Sequence, residues 1–185
     1  MATHDTKLGL GLATGMFYHA PAGTALPSYP GESLAAAWKK VGDVSADGIT
    51  LGLDKSAENL KNWANQIKRV ILTDHTETIQ APIMDTTAET LKTVLGAANV
   101  TTTAATSAHG VLVEANLSAS SLPEEEAFLF LMKDDDDMIA IGCTNGQITA
   151  VDNVTFAPSG AIVWTPTITA CGTGFVMITD DGQTS

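Results

Sequence analysis

Five large apolar residues stand side by side from Phe128 to Met132. A run this short has strand length, and successive side chains of a strand point to opposite faces, so protein has to cover both sides of it. Four aspartates, 134–137, follow, and a second apolar run extends from Met138 to Cys143. Two apolar runs around a charged break predict a hairpin with the aspartates at its solvated tip. A chain built on such a hairpin must supply layers above and below it, which points to a multi-stranded β architecture rather than a helical bundle.

The rest of the chain agrees. There are 25 threonines among 185 residues, and with Val and Ile they favour extended structure, because branching at Cβ fits a pleated surface. Sixteen glycines supply turns. In the second half the pattern predicts strands at 98–104, 110–117, 127–133, 138–143, 147–156, 161–169 and 174–179, with a tight turn at Asn145-Gly146. In the first half, residues 1–12 read as an extended arm and Ala13 to His19 as a first strand. An irregular loop then runs to Gly31, and Glu32 to Trp38 reads as a short helix. Val41 to Leu53 reads as strand, turn and strand around Asp47-Gly48. Ile67 to Thr73 and Thr76 to Met84 read as two extended segments with a turn at Asp74-His75, where strand parity can switch.

One clear helix is predicted, over 87–95. Thr86 is the expected N-cap, Glu89 completes a capping box, Ala88, Leu91 and Leu95 form an apolar stripe, and Gly96 closes the end. The fold class that follows is mainly β: a β-sandwich or barrel in one domain, 1–185, flanked by that helix, with a long polar loop over about 54–66. The uncharged stretch 153–179 is broken by Pro158, Gly160, Pro166, Gly172 and Gly174, so it reads as strands and turns rather than a membrane span. The N-terminus lacks a basic segment followed by an apolar core, so no signal peptide is expected.

Charge restricts function. The net charge is −12, and residues 93–185 hold Lys133 alone against eleven acids. Grooves that grip nucleic-acid phosphates run on Lys and Arg, so such a groove is not expected, and neither is an anionic membrane surface as partner. Cys143 and Cys171 are too few for a disulfide scaffold and form no CxxC pair; they read as small buried apolar residues, with a pairing between them left open. His4, His19, His75 and His109 are far apart without metal-ligand spacing. The aspartates 134–137 do not match a calcium loop, and Glu124-Glu125-Glu126 reads as a charged loop that keeps a sheet edge soluble. No G-x-S-x-G, Rossmann fingerprint or P-loop occurs, so no catalytic residue, metal or cofactor is expected.

The unusual element is Trp63, in a polar excursion between strands. Such a tryptophan either folds back on its own domain or is buried against another chain, since Trp and Arg are enriched at interface centres. Lys55, Glu58, Lys61, Lys68 and Arg69 surround it with both signs of charge.

At this point the residues carry a family likeness. The run Trp38-Lys39-Lys40-Val41-Gly42-Asp43-Val44-Ser45-Ala46-Asp47-Gly48-Ile49-Thr50-Leu51 resembles the opening strands of the major tail tube protein of long, non-contractile-tailed phages. Ala20-Pro21-Ala22-Gly23-Thr24-Ala25-Leu26-Pro27 is similar to the segment that precedes them in that family. Residues 54–69, with Glu58 and Trp63, resemble its polar loop, and Val70 to Gly96 resembles its strand-then-helix segment.

The resemblance implies a structural virion protein of the phage tail, assembled in the host cytoplasm. Six copies would form a ring whose strands line a central β-barrel, and stacked rings would make a tube for DNA ejection. Implied partners are further copies, a tape measure protein, a tail terminator and tail-tip proteins. DNA would pass without specific binding, through a bore that is usually negative in this family. Residues 54–69 would be the inter-ring loop, with Asp54, Lys55, Glu58, Lys61, Trp63, Lys68 and Arg69 as contact residues, and Asp74, Glu77 and Thr78 would face the lumen. Rival readings are the ring-forming tube protein of a bacterial secretion system, a monomeric β-sandwich adhesin or receptor-binding module, and a small metal-dependent hydrolase using the aspartates 134–137 and a histidine.

Overall fold

The apolar run forms the strand expected of it. A computed structural model describes residues 7–12, 17–118 and 121–182. Its strands are β1 (Leu10–Gly11), β2 (Phe17–Pro21), β3 (Lys39–Gly42), β4 (Thr50–Lys61), β5 (Ile67–Gln80), β6 (Val100–Thr103), β7 (Leu112–Ala115), β8 (Glu126–Asp134), β9 (Asp137–Val151), β10 (Pro166–Ala170) and β11 (Val176–Asp180), with one helix, α1 (Ala88–Leu95). Ala13 to Met16 of the expected first strand, His4 and the start of the expected arm lie outside the described residues.

β8 is covered on both faces. Phe128, Phe130 and Met132 enter one apolar cluster, with Phe17, Ile79, Ile148, Ile168 and the helix residues Leu91 and Val94. Ala127, Leu129 and Leu131 enter a second, with Ala20, Trp38 and Ala140. The Phe17 and Phe130 rings stack with centroids 4.5 Å apart. The β8–β9 hairpin turns at the aspartates, as expected, with Asp135 in the left-handed region at φ 52°. Lys7 pairs with Asp137 at 2.7 Å and the Leu8 N–H donates to Asp134 at 2.8 Å, so the arm, through β1, binds this tip.

All pairings are antiparallel, in the order β3-β2-β8-β9-β10-β5-β4, with β1 on β8 and β11 on β9; β6 and β7 form a separate pair. The large sheet does not close into a barrel, because β3 and β4 are its two ends. They are nonetheless joined by only seven residues, 43–49. Here the Asp47-Gly48 reading is corrected. Gly48 does turn the chain at φ 72°, but the flanking strands do not pair with each other. The sheet curls so far that a short connection spans its ends. Ile83 bridges Val44 on one side and Trp164 on the other, and Ser45 N–H donates to the Pro82 carbonyl at 2.7 Å.

Three further corrections have physical causes. Asn145-Gly146 is not a turn but lies within the continuous strand β9, where a Cβ on residue 146 would sit 2.8 Å from Cys143 Sγ and 3.0 Å from the Phe128 ring. Glycine is there for close packing against β8. Glu32 to Trp38 is not helical; Trp38 is instead buried against β8 from an irregular segment. The helix N-cap is Thr87, whose Oγ1 accepts from the Thr90 N–H at 3.1 Å, while Thr86 Oγ1 accepts from Trp164 Nε1–H at 3.1 Å. The buried Thr90 hydroxyl donates to the Val41 carbonyl at 2.7 Å and ties the helix to β3.

Cys143 and Cys171 are both free. Burial pushes the Cys143 thiol up to about 12 from an ordinary 9.0, opposed by a hydrogen bond with the Phe128 backbone.

Two tests follow from this packing. Gly146→Ala should destabilise the fold by about 1–3 kcal/mol through overpacking, read by chemical denaturation. For Cys143, the folded chain holds the thiol proton more tightly than the unfolded chain. The stability it contributes is therefore full below pH 9 and lost as pH rises towards about 12. Thermal melts should show the melting temperature falling across that window more steeply than in Cys143→Ala.

Candidate functional site

The stretch expected as a polar loop is a β-hairpin. β4 and β5 pair from Thr50↔Gln80 to Lys61↔Ile67, with register shifts at Ser56/Ala57 and Leu60/Lys61, so 54–61 is strand and only 62–66 is turn. The apparent turn at Asp74-His75 is also strand. The sequence misleads here because the hairpin projects from the domain and neither face of its distal half is packed. No core then imposes an apolar–polar alternation that a reader could recognise.

The tip is closed by backbone and side-chain hydrogen bonds between Asn62 and Gln66. The Asn62 N–H donates to the Gln66 carbonyl at 3.0 Å, the Gln66 N–H donates to Asn62 Oδ1 at 2.8 Å, and Asn65 adopts φ 61°. Asparagine tolerates that left-handed conformation better than most residues. The turn lifts Trp63 clear of the protein, at 106% relative exposure. Trp38 and Trp164 are buried, so the three tryptophans divide sharply.

Below the tip, Leu51, Leu53, Leu60, Ile67, Val70, Ile71 and Leu72 are all exposed. Covering a half-exposed Leu or Ile gains on the order of 1 kcal/mol, so these seven hold several kcal/mol of unused apolar burial. A two-stranded hairpin by itself is marginal in water.

Directly paired residues share a face, and the base of the hairpin is two-sided. One face carries Thr50, Gly52, Asp54 and Ser56 of β4 opposite Gln80, Thr78, Thr76 and Asp74 of β5. It continues onto β10 through Thr167 and Thr169, where Gln80 Nε2 donates to Thr167 Oγ1 at 3.2 Å, and onto β9, where the Thr149 and Thr169 hydroxyls meet at 2.8 Å. This surface has hydroxyls, amides and two carboxylates and no Lys, Arg or His. The other face carries Leu51, Leu53 and Ile79, and runs into the core through Ile168 and Ile148.

The register shifts between Ser56 and Ala57, leaving Thr73 as an extra residue between Leu72 and Asp74. This bulge keeps Val70 and Leu72 on the apolar side while Asp74 stays on the polar side. The parity switch expected at Asp74-His75 therefore falls one residue earlier.

The expected site residues divide accordingly. Lys55, Glu58, Lys61, Trp63, Lys68 and Arg69 lie on the arm, whereas Asp54 lies at its base on the polar face opposite Thr76. Asp74 and Thr78 share that polar face. Glu77 does not: it is opposite Leu53, accepts from the Phe175 N–H at 2.6 Å and lies 3.3 Å from His75 Nε2. Sequence reasoning missed Val70, Ile71 and Leu72 as exposed residues, since an apolar triplet reads as core. It also missed Thr167 and Thr169, although the Thr-Ile-Thr alternation of β10 carries that signal.

A groove of about 520 Å³ lies elsewhere, lined by Ala20, Pro21, Ala22 and Ala37 on its floor, with Glu124, Glu125 and Glu126 and one cation, Lys39, around it. At its side, buried His19 places Nδ1 3.0 Å from Glu126 and Nε2 3.3 Å from Glu89, the latter off-angle for a hydrogen bond. Among the described residues, no three His, Cys, Asp or Glu side chains converge as a metal site, and no helix is long and apolar enough to cross a membrane.

Trp63→Ala should leave the stability of the isolated subunit within about 0.5 kcal/mol in chemical denaturation, because the indole touches nothing in its own chain.

Comparison with known proteins gives one family. A family model described as phage tail tube protein matches residues 1–175. No curated protein matches. Among solved structures, the cryo-EM structure of the anti-feeding prophage cap, a tube terminating cap, aligns over 97% of this chain and 99% of that one, at 8% identity and a TM-score of 0.47. A likeness of that size carries no argument.

Proposed function

The chain belongs to the phage tail tube protein family, and from that premise we propose that its copies close into rings of six and stack into the tube that conducts DNA. Membership makes it a structural component of the virion tail. The number six is what the family resemblance implies. The observation that carries the rest is the two-sided sheet next to the uncovered hairpin.

The C-terminal part of β9, then β10, β5 and β4, form a four-stranded unit of alternating direction. Its outer edges are β4 and the 147–151 part of β9, along which no strand pairs on the side away from β10 among the described residues. Unpaired edges of this length invite another chain. Copies related by rotation keep the same strand direction about the axis. With four alternating strands per copy, β4 of one copy meets β9 of the next antiparallel, and the ring closes without a mismatch. A head-to-tail contact that closes makes a ring and leaves no free edge.

In such a ring the opposite face is already turned to its own core through Ile79, Ile168 and Ile148, so the polar face lines the bore. Asp54, Asp74, Thr76 and Thr78 would face the axis, with Thr167 and Thr169 beside them; Glu77, on the opposite face, would not. Carboxylates repel phosphates and hydroxyls hold them weakly. With no Lys or Arg on the wall, DNA meets no trap and slides. The arm, with Lys55, Glu58, Lys61, Trp63, Lys68 and Arg69, would reach the adjacent ring, where its apolar residues lose their exposure to water. A tape measure protein, a tail terminator and tail-tip proteins are the further partners of this reading.

Negative-stain and then high-resolution electron microscopy of the purified chain is the test. Rings and tubes are expected, with Asp74 and Thr78 facing the axis. Replacing residues 57–72 with Asn-Gly should give folded subunits that form no tubes. Single particles at every concentration, alone and with other tail proteins, would favour the monomeric adhesin reading; a map with Asp74 and Thr78 on the tube exterior would remove the bore assignment.

A further inference from the structure

The arm carries a charge opposite to that of its chain. Between residues 55 and 73 there are four Lys/Arg, at 55, 61, 68 and 69, against Glu58 alone, whereas the whole chain is −12. A positive tip around an exposed indole is complementary to a negative surface with an apolar floor. The chain has two dense acidic clusters. The aspartates 134–137 are already engaged by the arm at 7–11 and sit on a solvated turn. Glu124-Glu125-Glu126 instead rims a groove floored by alanines and a proline; its lining also holds one cation, Lys39, and His19, 3.0 Å from Glu126, so acids still outnumber bases there. Glu124 and Glu125 are exposed, and the small floor residues leave the groove open where larger side chains would fill it.

We propose that this groove receives the hairpin tip of another copy, with Trp63 on the floor of Ala20, Pro21 and Ala22 and its Nε1–H directed at the glutamate rim. An indole is suited to this because it buries a large apolar body while keeping one donor, which needs an acceptor. Lys61, Lys68 and Arg69, within a few residues of Trp63, meet the glutamates across the contact. Like charge repels the same groove from other acidic surfaces of the chain, so the complementarity sets the docking register as well as the attraction. The inference rests on the ring-stacking reading and names the receptor for its arm.

The experiment uses the full chain and counts stacked rings by electron microscopy and sedimentation, with circular dichroism to confirm folding. Trp63→Ala and the pair Glu124→Lys with Glu125→Lys should each reduce stacking by about tenfold or more, as loss of an interface centre does. Adding Lys68→Glu and Arg69→Glu to the Glu124/Glu125 variant should restore it. If Trp63→Ala fails to stack but the rim variant stacks as the unmodified chain does, the arm contact stands and the groove is not its receptor. Absence of rescue by the double charge swap also overturns the groove assignment. An unmodified chain that never assembles brings down this inference together with the ring reading.

Discussion

The whole molecule hangs on one strand being buried on both faces. β8 places Phe128, Phe130 and Met132 in one apolar cluster and Ala127, Leu129 and Leu131 in another. A flat sheet cannot cover a strand on both sides by itself. The sheet therefore curls, bringing the Ile83 seam and the helix onto one face, while the irregular segment that carries Trp38 closes the other. β8 and β9 pack closely where they pair. Gly146 is needed because Phe128 and Cys143 occupy the space a side chain would take.

The consequence of that curl is what remains outside it. The core consumes the polar–apolar alternation of β10 and the base of β5, but it ends before the distal hairpin begins. β4 and β5 continue for several residue pairs beyond any support, with apolar side chains in water and a tryptophan at the apex. Natural proteins seldom leave a long edge strand and an apolar arm open together, because both promote uncontrolled association. Membership of a family whose members build tubes gives both a destination. On the reading proposed above, the edge and the arm are the surfaces by which one copy would meet another.

Much of this was legible in the residues. The central hairpin and its aspartate tip, the helix with its glycine stop and the mainly β class all followed from local pattern, since each depends on periodicity or on a capping preference within a few residues. Trp63 stood out because an indole in polar surroundings is costly unless something covers it. Other features were illegible for equally definite reasons. Asn145-Gly146 carries the chemistry of a turn, but a glycine required by a neighbouring ring looks the same in sequence as one required by backbone torsion. Asp47-Gly48 does make a turn, yet which strands pair on either side of it depends on how far the whole sheet curls. Val70-Ile71-Leu72 has core composition and an exposed position, and only the end of the core along β5 separates the two.

The sequence by itself determined that this chain is a mainly β protein with an internal charge division, because alternation, branching and charge are properties of neighbours in the chain. The tertiary structure alone decided that the polar stretch is a paired β-hairpin, that Asp74 and Thr78 share a face from which Glu77 is excluded, and that Glu124 to Glu126 rim a groove. Faces are fixed by register, and a single extra residue at Thr73 reverses which side every following side chain takes. Register is set by long-range strand pairing, and that pairing is written in no local stretch of the chain.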